Sequence, residues 1–354
     1  MPGPLPLPDL EHVLSHTAPL WEGLRGRRLF ISGGTGFFGR WILESFALAN
    51  ERLSLGAAAM VLTRSADAFV RKAPHLGRRK DLSFVAGDVR DFKFPEGQFH
   101  AMIHAATEAS AKLNEENPLV MLDTIVRGTE RMLDFAAKSG VKQFLLTSSG
   151  AVYGPQPPEM ERVPEEYRGA PSLEAPNAAY GEGKRVAELL CHLHGRRHGF
   201  EVKIARCFAF VGPAMPLDSH FAIGNFIRDA LAGRPILIQG DGTPFRSYLY
   251  AADLAIWLWK ILFAGTNGRP YNLGSSAGLP IVDVAQAVRL ALHRENPISV
   301  AQKPVAGRPA MRYVPDTTRA ANELQLQQEI GLEEGIRRTA EWAQADGQAM
   351  QAAD

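Results

Sequence analysis

The chain has 354 residues, 45% of them apolar, which is enough for a sizeable core arranged as roughly two domains or one large one. Lysine plus arginine (39) and aspartate plus glutamate (38) nearly cancel to a net charge of +1, which excludes the basic footprint of a nucleic-acid binder and gives no general attraction to a membrane. Two cysteines exclude a disulfide framework or a four-cysteine zinc site, the histidines fall at no ligand spacing, and no apolar run is long enough to span a bilayer, so a cytoplasmic protein without a bound metal is expected.

Residues 1–8 are proline-rich and read as loose. From Asp9, read as an N-cap, to Leu24 the apolar positions Leu10, Val13, Leu14, Leu20 and Trp21 predict an amphipathic helix interrupted near Pro19, an appendage packed on the core or on a partner subunit. Residues 29–31 form an apolar run that fits a buried strand. Gly33, Gly34, Gly36 and Gly39 come next, and apolar residues from Phe37 to Leu48 recur at helical spacing. Such a strand, tight turn and helix bring bare backbone N–H groups and a helix N-terminus against a pyrophosphate, so the segment is read as a dinucleotide turn of the G-x-x-G-x-x-G kind.

Residues 57–63 predict a second strand ending in Thr63-Arg64-Ser65. No acid stands at that end to bind ribose hydroxyls, and Arg64 would accept a 2′-phosphate, which leans the cofactor toward NADP while leaving NAD open. Residues 82–86 predict a third strand leading to Gly87-Asp88-Val89, where Asp88 would accept from an adenine amino group. Residues 102–106 predict a fourth, with the small Ala105 and Ala106 where a cofactor would pass. A long crossover helix is predicted over 118–138 and a fifth strand over 142–147. That strand delivers Thr147, Ser148, Ser149 and Gly150 to the carboxyl edge of the sheet, where ligands gather. Residues 155–177 read as an irregular loop.

Tyr180 and Lys184 stand four apart and share a helical face. A phenol with a pKa near ~10 is a poor base at neutral pH, and a neighbouring ammonium would lower that value. Together with the glycine turn and the serine-bearing strand end, the pair reads as the apparatus that takes a proton from an alcohol while hydride leaves the same carbon.

These segments in this order resemble the extended short-chain dehydrogenase/reductases of the NAD-dependent epimerase/dehydratase family, which act on nucleotide sugars. The resemblance runs from about residue 27 to 342 through Gly33 to Gly39, Asp88, His104-Ala105-Ala106, Gly128-Thr129, Ser148 to Gly154, Tyr180 with Lys184, Arg206, Gly212-Pro213, Arg246, Asp253 and Tyr271 to Gly274. The run Tyr180 to Glu188 looks most like UDP-glucuronate decarboxylases. The fold implied is α/β, a Rossmann-type doubly wound parallel sheet with a smaller C-terminal α/β lobe for the substrate. Expected boundaries are 1–26 for an N-terminal helical extension, 27–205 for the NAD(P)-binding domain, 206–342 mainly for the nucleotide-sugar lobe with segments returning to the sheet, and 343–354 for a frayed tail.

Carried over by position, Tyr180 would be the general base, Lys184 would lower its pKa and hold the nicotinamide ribose, and Ser149 would bond the reacting oxygen. A tightly held NAD or NADP would be bound by Gly33, Gly36, Phe37, Phe38, Gly39, Arg64, Asp88, Val89, Ala105, Ala106 and Thr147 with Tyr180 and Lys184. Asn225 and Arg246, with Arg312 as a second arginine, would hold the diphosphate of the sugar nucleotide, and Glu108, Ser149 and Gly150 would face the sugar. A homodimer is implied, with helix 118–138 in a bundle between subunits.

The departures bear on the reaction. Where 4,6-dehydratases carry Asp and Glu after the serine or threonine, and decarboxylases a Glu, this chain has Gly150 and Ala151. Neither moves a proton, so Glu108, Glu182 or Glu165 would have to substitute. A 4-epimerase needs no acid there, which favours 4-epimerisation over dehydration or decarboxylation. Net reduction of a 4-keto sugar by NADPH is a further alternative, and an inactive dinucleotide-binding scaffold the last. Ile125 and Ala209 stand where relatives usually have Asn. Beyond a strand predicted over 201–210, helices are expected at 220–231, 251–263, 281–292 and 332–342, with a short strand at 236–239.

Overall fold

In the computed structural model, which describes residues 3–107, 111–219 and 221–351, alternation along one strand sets the architecture. β1 (Arg28–Ser32) sends Leu29 and Ile31 into one core and Phe30 into another, all three fully buried. A parallel sheet covered by helices on both faces requires this. β2 (Ala58–Thr63) and β3 (Leu82–Ala86) extend the sheet on one side of β1, and β4 (Ala101–His104), β5 (Gln143–Ser149) and β6 (Glu201–Cys207) on the other. Ser32 of β1 stands opposite both Leu62 and His104. Burial pushes the His104 imidazole down to about 3, so it is neutral, and it ties β1 to the crossover helix through Ser32 Oγ at 2.7 Å and Thr129 Oγ1 at 3.1 Å.

The helices before the last part of the chain are α1 (Leu7–Thr17), α2 (Phe37–Arg52), α3 (Ala66–Lys72), α4 (Pro74–Gly77), α5 (Ala111–Glu116), α6 (Pro118–Lys138) and α7 (Ala178–His198). α6 and α7 cover the face that holds Phe30, where Phe92, Phe99 and Phe135 surround that ring at 4.9 to 5.8 Å. After β6 the chain alternates between the sheet and a smaller lobe. β7 (Phe210–Val211), α8 (Ala222–Leu231), β8 (Ile236–Ile238), β9 (Phe245–Arg246) and β10 (Leu249–Tyr250) precede α9 (Ala251–Ala264). β11 (Pro270–Leu273) then returns to pair with β6, completing the order β11-β6-β5-β4-β1-β2-β3 with every pair parallel. β12 (Leu279–Pro280), α10 (Ile281–Ala291), β13 (Ile298–Val300) and β14 (Arg312–Tyr313) belong to the lobe, and α11 (Thr318–Leu324) and α12 (Leu332–Gln351) end the chain. α9 carries Trp257 and Trp259, each 1% exposed, on the face opposite α6 and α7. Burial of one such ring stabilises the fold by roughly 1.5–3 kcal/mol.

Four expectations are corrected. Residues 3–6 are held rather than loose: Leu5 is buried, its N–H donates to Glu44 at 2.8 Å, and Trp342 donates to the Pro4 carbonyl at 3.1 Å. Asp9 is not an N-cap, because the helix begins two residues earlier; its buried carboxylate accepts from Tyr250 at 2.5 Å and pairs with Arg338. The strand expected over 201–210 breaks after Cys207, where Phe208 donates its N–H to Leu273 and the chain turns toward the lobe. The C-terminal helix runs to Gln351 instead of fraying from 343. Among the described residues no helix is long and apolar enough to cross a membrane, and no three metal-ligating side chains gather.

Candidate active site

The order in which strands are added reverses between β1 and β4, so the segments leaving these strands part there, which is where an open parallel sheet receives a ligand. The turn after β1 is fixed by sterics. Gly33 has φ +74°, and a Cβ on it would lie 2.4 Å from the carbonyl carbon of Ala105; at Gly39 a Cβ would lie 2.2 Å from the carbonyl carbon of Gly34. The start of α2 therefore rests directly on the turn. At Gly36 a Cβ would meet nothing nearer than the Gly33 oxygen at 3.7 Å. The turn is closed toward the protein and open on its outer side, with the N–H groups of Phe37, Phe38 and Gly39 in the first turn of α2, where helices lack internal acceptors. This cradle fits a pyrophosphate. The Phe38 ring itself turns away, edge-on to Phe210 at 5.0 Å.

Arg64 stands exposed just beyond β2, and its charge reaches Asp88. Arg90 acts more strongly there, holding the two Asp88 carboxylate oxygens at 2.8 and 3.1 Å and keeping that carboxyl below the usual range. The carboxylate expected to meet an adenine amino group is thus engaged with Arg90. Val89 is buried, and a Cβ on Gly128 of α6 would lie 2.8 Å from it. Glu108 lies outside the described residues.

At the carboxyl end of β5, Lys184 is 2% exposed and donates to Thr107 Oγ1 and to the Thr147 carbonyl, both at 2.8 Å. Burial pushes its ammonium down to about 8. Tyr180, one turn earlier on α7, is half-buried; burial raises its phenol to about 12, and a hydrogen bond with Ser149 offsets only part of that rise. Burial is the larger influence on the phenol, and the Lys184 ammonium expected to lower its pKa donates to Thr107 and Thr147. Ser149 Oγ accepts from the Ala151 N–H at 3.1 Å and lies 3.4 Å from the Tyr313 hydroxyl.

A cavity of about 870 Å³ opens between this cluster and the smaller lobe. Ser149, Tyr180, Asn225 and Arg246, four residues singled out in the sequence, line it together with Asn114, Phe208, Asp229, Tyr248 and Tyr313, which were not. Asn225 is braced by the Ser219 carbonyl at 2.8 Å, and Arg246 by the Phe245 carbonyl at 2.8 Å. Arg312 is not among the lining residues. On the two-residue strand β14 neighbouring side chains leave on opposite faces, so Tyr313 faces the cavity while Arg312 stacks on Phe245 at 4.0 Å. Tyr313 was legible only as the neighbour of that arginine, and Asn114 carried no sequence signal.

Of the acids offered as substitutes, Glu165 and Glu182 stand elsewhere. Glu165 is buried where it accepts from the Asn272 N–H at 2.8 Å, and Glu182 pairs with Arg185 at 3.5 Å. A Cβ on Gly150 would lie 2.7 Å from the Phe208 ring, so that ring fills the space a side chain at 150 would take. Ile125, at a place where an Asn was expected, is buried against Gly183, and Ala209 lines the cavity. Behind the strand end Glu188 accepts from Ser148 at 2.5 Å and from Arg206 at 2.7 and 3.0 Å, which fixes β5 against α7.

A family model described as the NAD dependent epimerase/dehydratase family matches residues 29–274. UDP-glucuronic acid decarboxylase 5 of Arabidopsis thaliana is 32% identical over 309 residues, covering 87% of each chain. The UDP-glucose 4-epimerase of Thermotoga maritima superposes with a TM-score of 0.75 at 20% identity, over 90% of this chain and 99% of its own. The dTDP-glucose 4,6-dehydratase DesIV of Streptomyces venezuelae does so with 0.77 at 24% identity, over 91% and 98%. The two structures share the fold.

Proposed function

The chain belongs to the NAD dependent epimerase/dehydratase family, the extended short-chain dehydrogenase/reductases of nucleotide sugars, and we propose that it oxidises C4 of a nucleotide-activated hexose and returns the hydride in the same turnover, inverting C4. NAD, when bound, supplies the hydride acceptor and a positive charge beside the phenol. Tyr180 takes the proton of the C4 hydroxyl and later gives it back. Ser149 holds the C4 oxygen, and Lys184, with three donors of which Thr107 and Thr147 engage two, holds the ribose. Asn225 and Arg246 hold the diphosphate, for which a guanidinium fork is well shaped.

The observation that carries epimerisation is the Gly150–Phe208 contact. Moving protons at C5 or C6 calls for an acid or base at the sugar end. Among the described residues lining the cavity, the carboxylate is Asp229, which sits on α8 in a pair with Arg234 at 2.8 Å. A rotated ketone that takes its hydride back on the other face needs no such group. The name of the decarboxylase relative favours, as a second reading, loss of carbon dioxide from a nucleotide-linked uronic acid, drawing on Glu108. Arg64 supports a place for a 2′-phosphate, and with it NADPH-dependent reduction of a 4-keto sugar.

Incubation with UDP-, dTDP-, GDP- and CDP-linked hexoses and hexuronic acids, read by product mass and by proton NMR at C4, tests the proposal. Unchanged mass, inverted C4 and no consumption of free NADPH are expected. Loss of water or carbon dioxide, or stoichiometric oxidation of NADPH, overturns it. We further place the protein in the cytoplasm, where its two buried cysteines stay reduced, and read it as a homodimer through the exposed apolar residues Leu119 and Val120 of α6 and Leu189 and Leu193 of α7.

A further inference from the structure

The first turn of α7 is capped from outside. Asn177, the residue before the helix, makes no side-chain cap. In its place Asn114 of α5 reaches across: its Oδ1 accepts from the Tyr180 N–H at 3.1 Å, and its Nδ2 donates to the Asn177 carbonyl at 2.8 Å. One planar amide thus grips two backbone groups three residues apart, at the two ends of the turn that carries the phenol. Asn114 is 9% exposed and lines the same cavity as Tyr180. Lys184 is fixed separately by Thr107 and Thr147, so the Asn114 clamp sets the rotation of the first turn, and with it the phenol, relative to an ammonium already anchored.

We infer that Asn114 is a positioning residue that holds Tyr180 in line with Ser149 for proton transfer, an assignment that rests on the C4 oxidation proposed above. Removing the amide leaves the Tyr180 N–H without an acceptor and lets the turn rotate, and small misplacements of a reacting group cost rate steeply. The substrate diphosphate is held by other elements, so its binding is left in place.

Asn114→Ala and Asn114→Asp in the full-length enzyme test the assignment. Asn114→Ala is expected to lower kcat about ten- to a hundredfold with KM within about twofold. Asn114→Asp keeps the acceptor for the Tyr180 N–H but loses the donor to the Asn177 carbonyl, so it is expected to lower kcat less than Asn114→Ala does while moving the pH profile upward, because its carboxylate opposes ionisation of the phenol. The other titratable groups acting on or beside that phenol, Tyr313, Cys207 and Lys184, are unchanged in both variants. Wild-type kcat and pH profile in Asn114→Ala overturn the assignment, as does a loss of rate fully accounted for by a loss of folded protein. Ultraviolet difference titration of each protein against its Tyr180→Phe counterpart tracks the phenol without turnover. If no nucleotide sugar is turned over, C4 oxidation fails, whereas an unshifted phenol in Asn114→Asp counts against the clamp.

Discussion

In the proposed reaction Tyr180 gains and loses a proton, yet its surroundings raise its phenol to about 12. Activity should therefore rise with pH as the phenol ionises. Tyr180→Phe should lower kcat by at least about a hundredfold while nucleotide-sugar binding persists, as calorimetry of the variant would show. Gly150 carries the opposite demand, for nothing at all. Gly150→Asp drives a carboxylate into the Phe208 ring and should cost about 1–3 kcal/mol in denaturant unfolding. Adding Phe208→Ala should recover part of that loss, a coupling that two independent sites would not show. Buried titratable groups give stability a pH dependence of defined sign. His104 is neutral down to about 3 in the fold but protonates near 6.5 when unfolded, so stability should fall as pH drops through that window. Lys184 acts with the same sign in an alkaline window: it releases its proton near 8 in the fold against 10.5 unfolded, so stability should rise with pH between those values. Unfolding measured across pH should show the acid slope flatten in His104→Gln and the alkaline slope flatten in Lys184→Met.

At the scale of elements, the N-terminal segment is part of the fold. α1 lays Leu10 and Val13 into the core with α9, and Asp9 joins α1 to β10 and α12 through Tyr250 and Arg338. Asp9→Ala leaves a buried tyrosine hydroxyl and a half-buried guanidinium without their carboxylate. It should cost about 1–3 kcal/mol in thermal or denaturant unfolding with little effect on kcat, since the cavity is lined by other segments. Elements differ in how far residue spacing foretells them. α6 spans Pro118–Lys138, the limits its apolar period gave, because one face of it is buried along its whole length. Asp9 has the composition of a cap, but its partners lie more than 240 residues away, and no local pattern encodes them.

For the whole molecule, the two lobes meet around the cavity: the sheet side brings Ser149 and Tyr180, the smaller lobe Asn225 and Arg246. The exposed Leu189 and Leu193 on α7, with Leu119 on α6, would offer an apolar surface to the second copy of the proposed homodimer. Light scattering should give twice the chain mass for the wild type, and Leu189→Glu combined with Leu193→Glu should return it to the single-chain value.

The sequence by itself determined the parallel α/β architecture, the dinucleotide turn, the family, and the serine, tyrosine and lysine set at the carboxyl edge of the sheet. The architecture and the turn are carried by periodicity and glycine placement within short windows, the family and its side-chain set by the resemblance of motifs in order along residues 27–342. Tertiary structure alone decided that Tyr313 and not Arg312 lines the cavity, that Phe208 takes the space beside Gly150, that Glu165 and Glu182 stand away from it, and that Asn114 caps the helix bearing Tyr180. These are contacts between residues far apart in the chain. Their outcome depends on how rigid elements pack, a quantity that residue spacing does not contain.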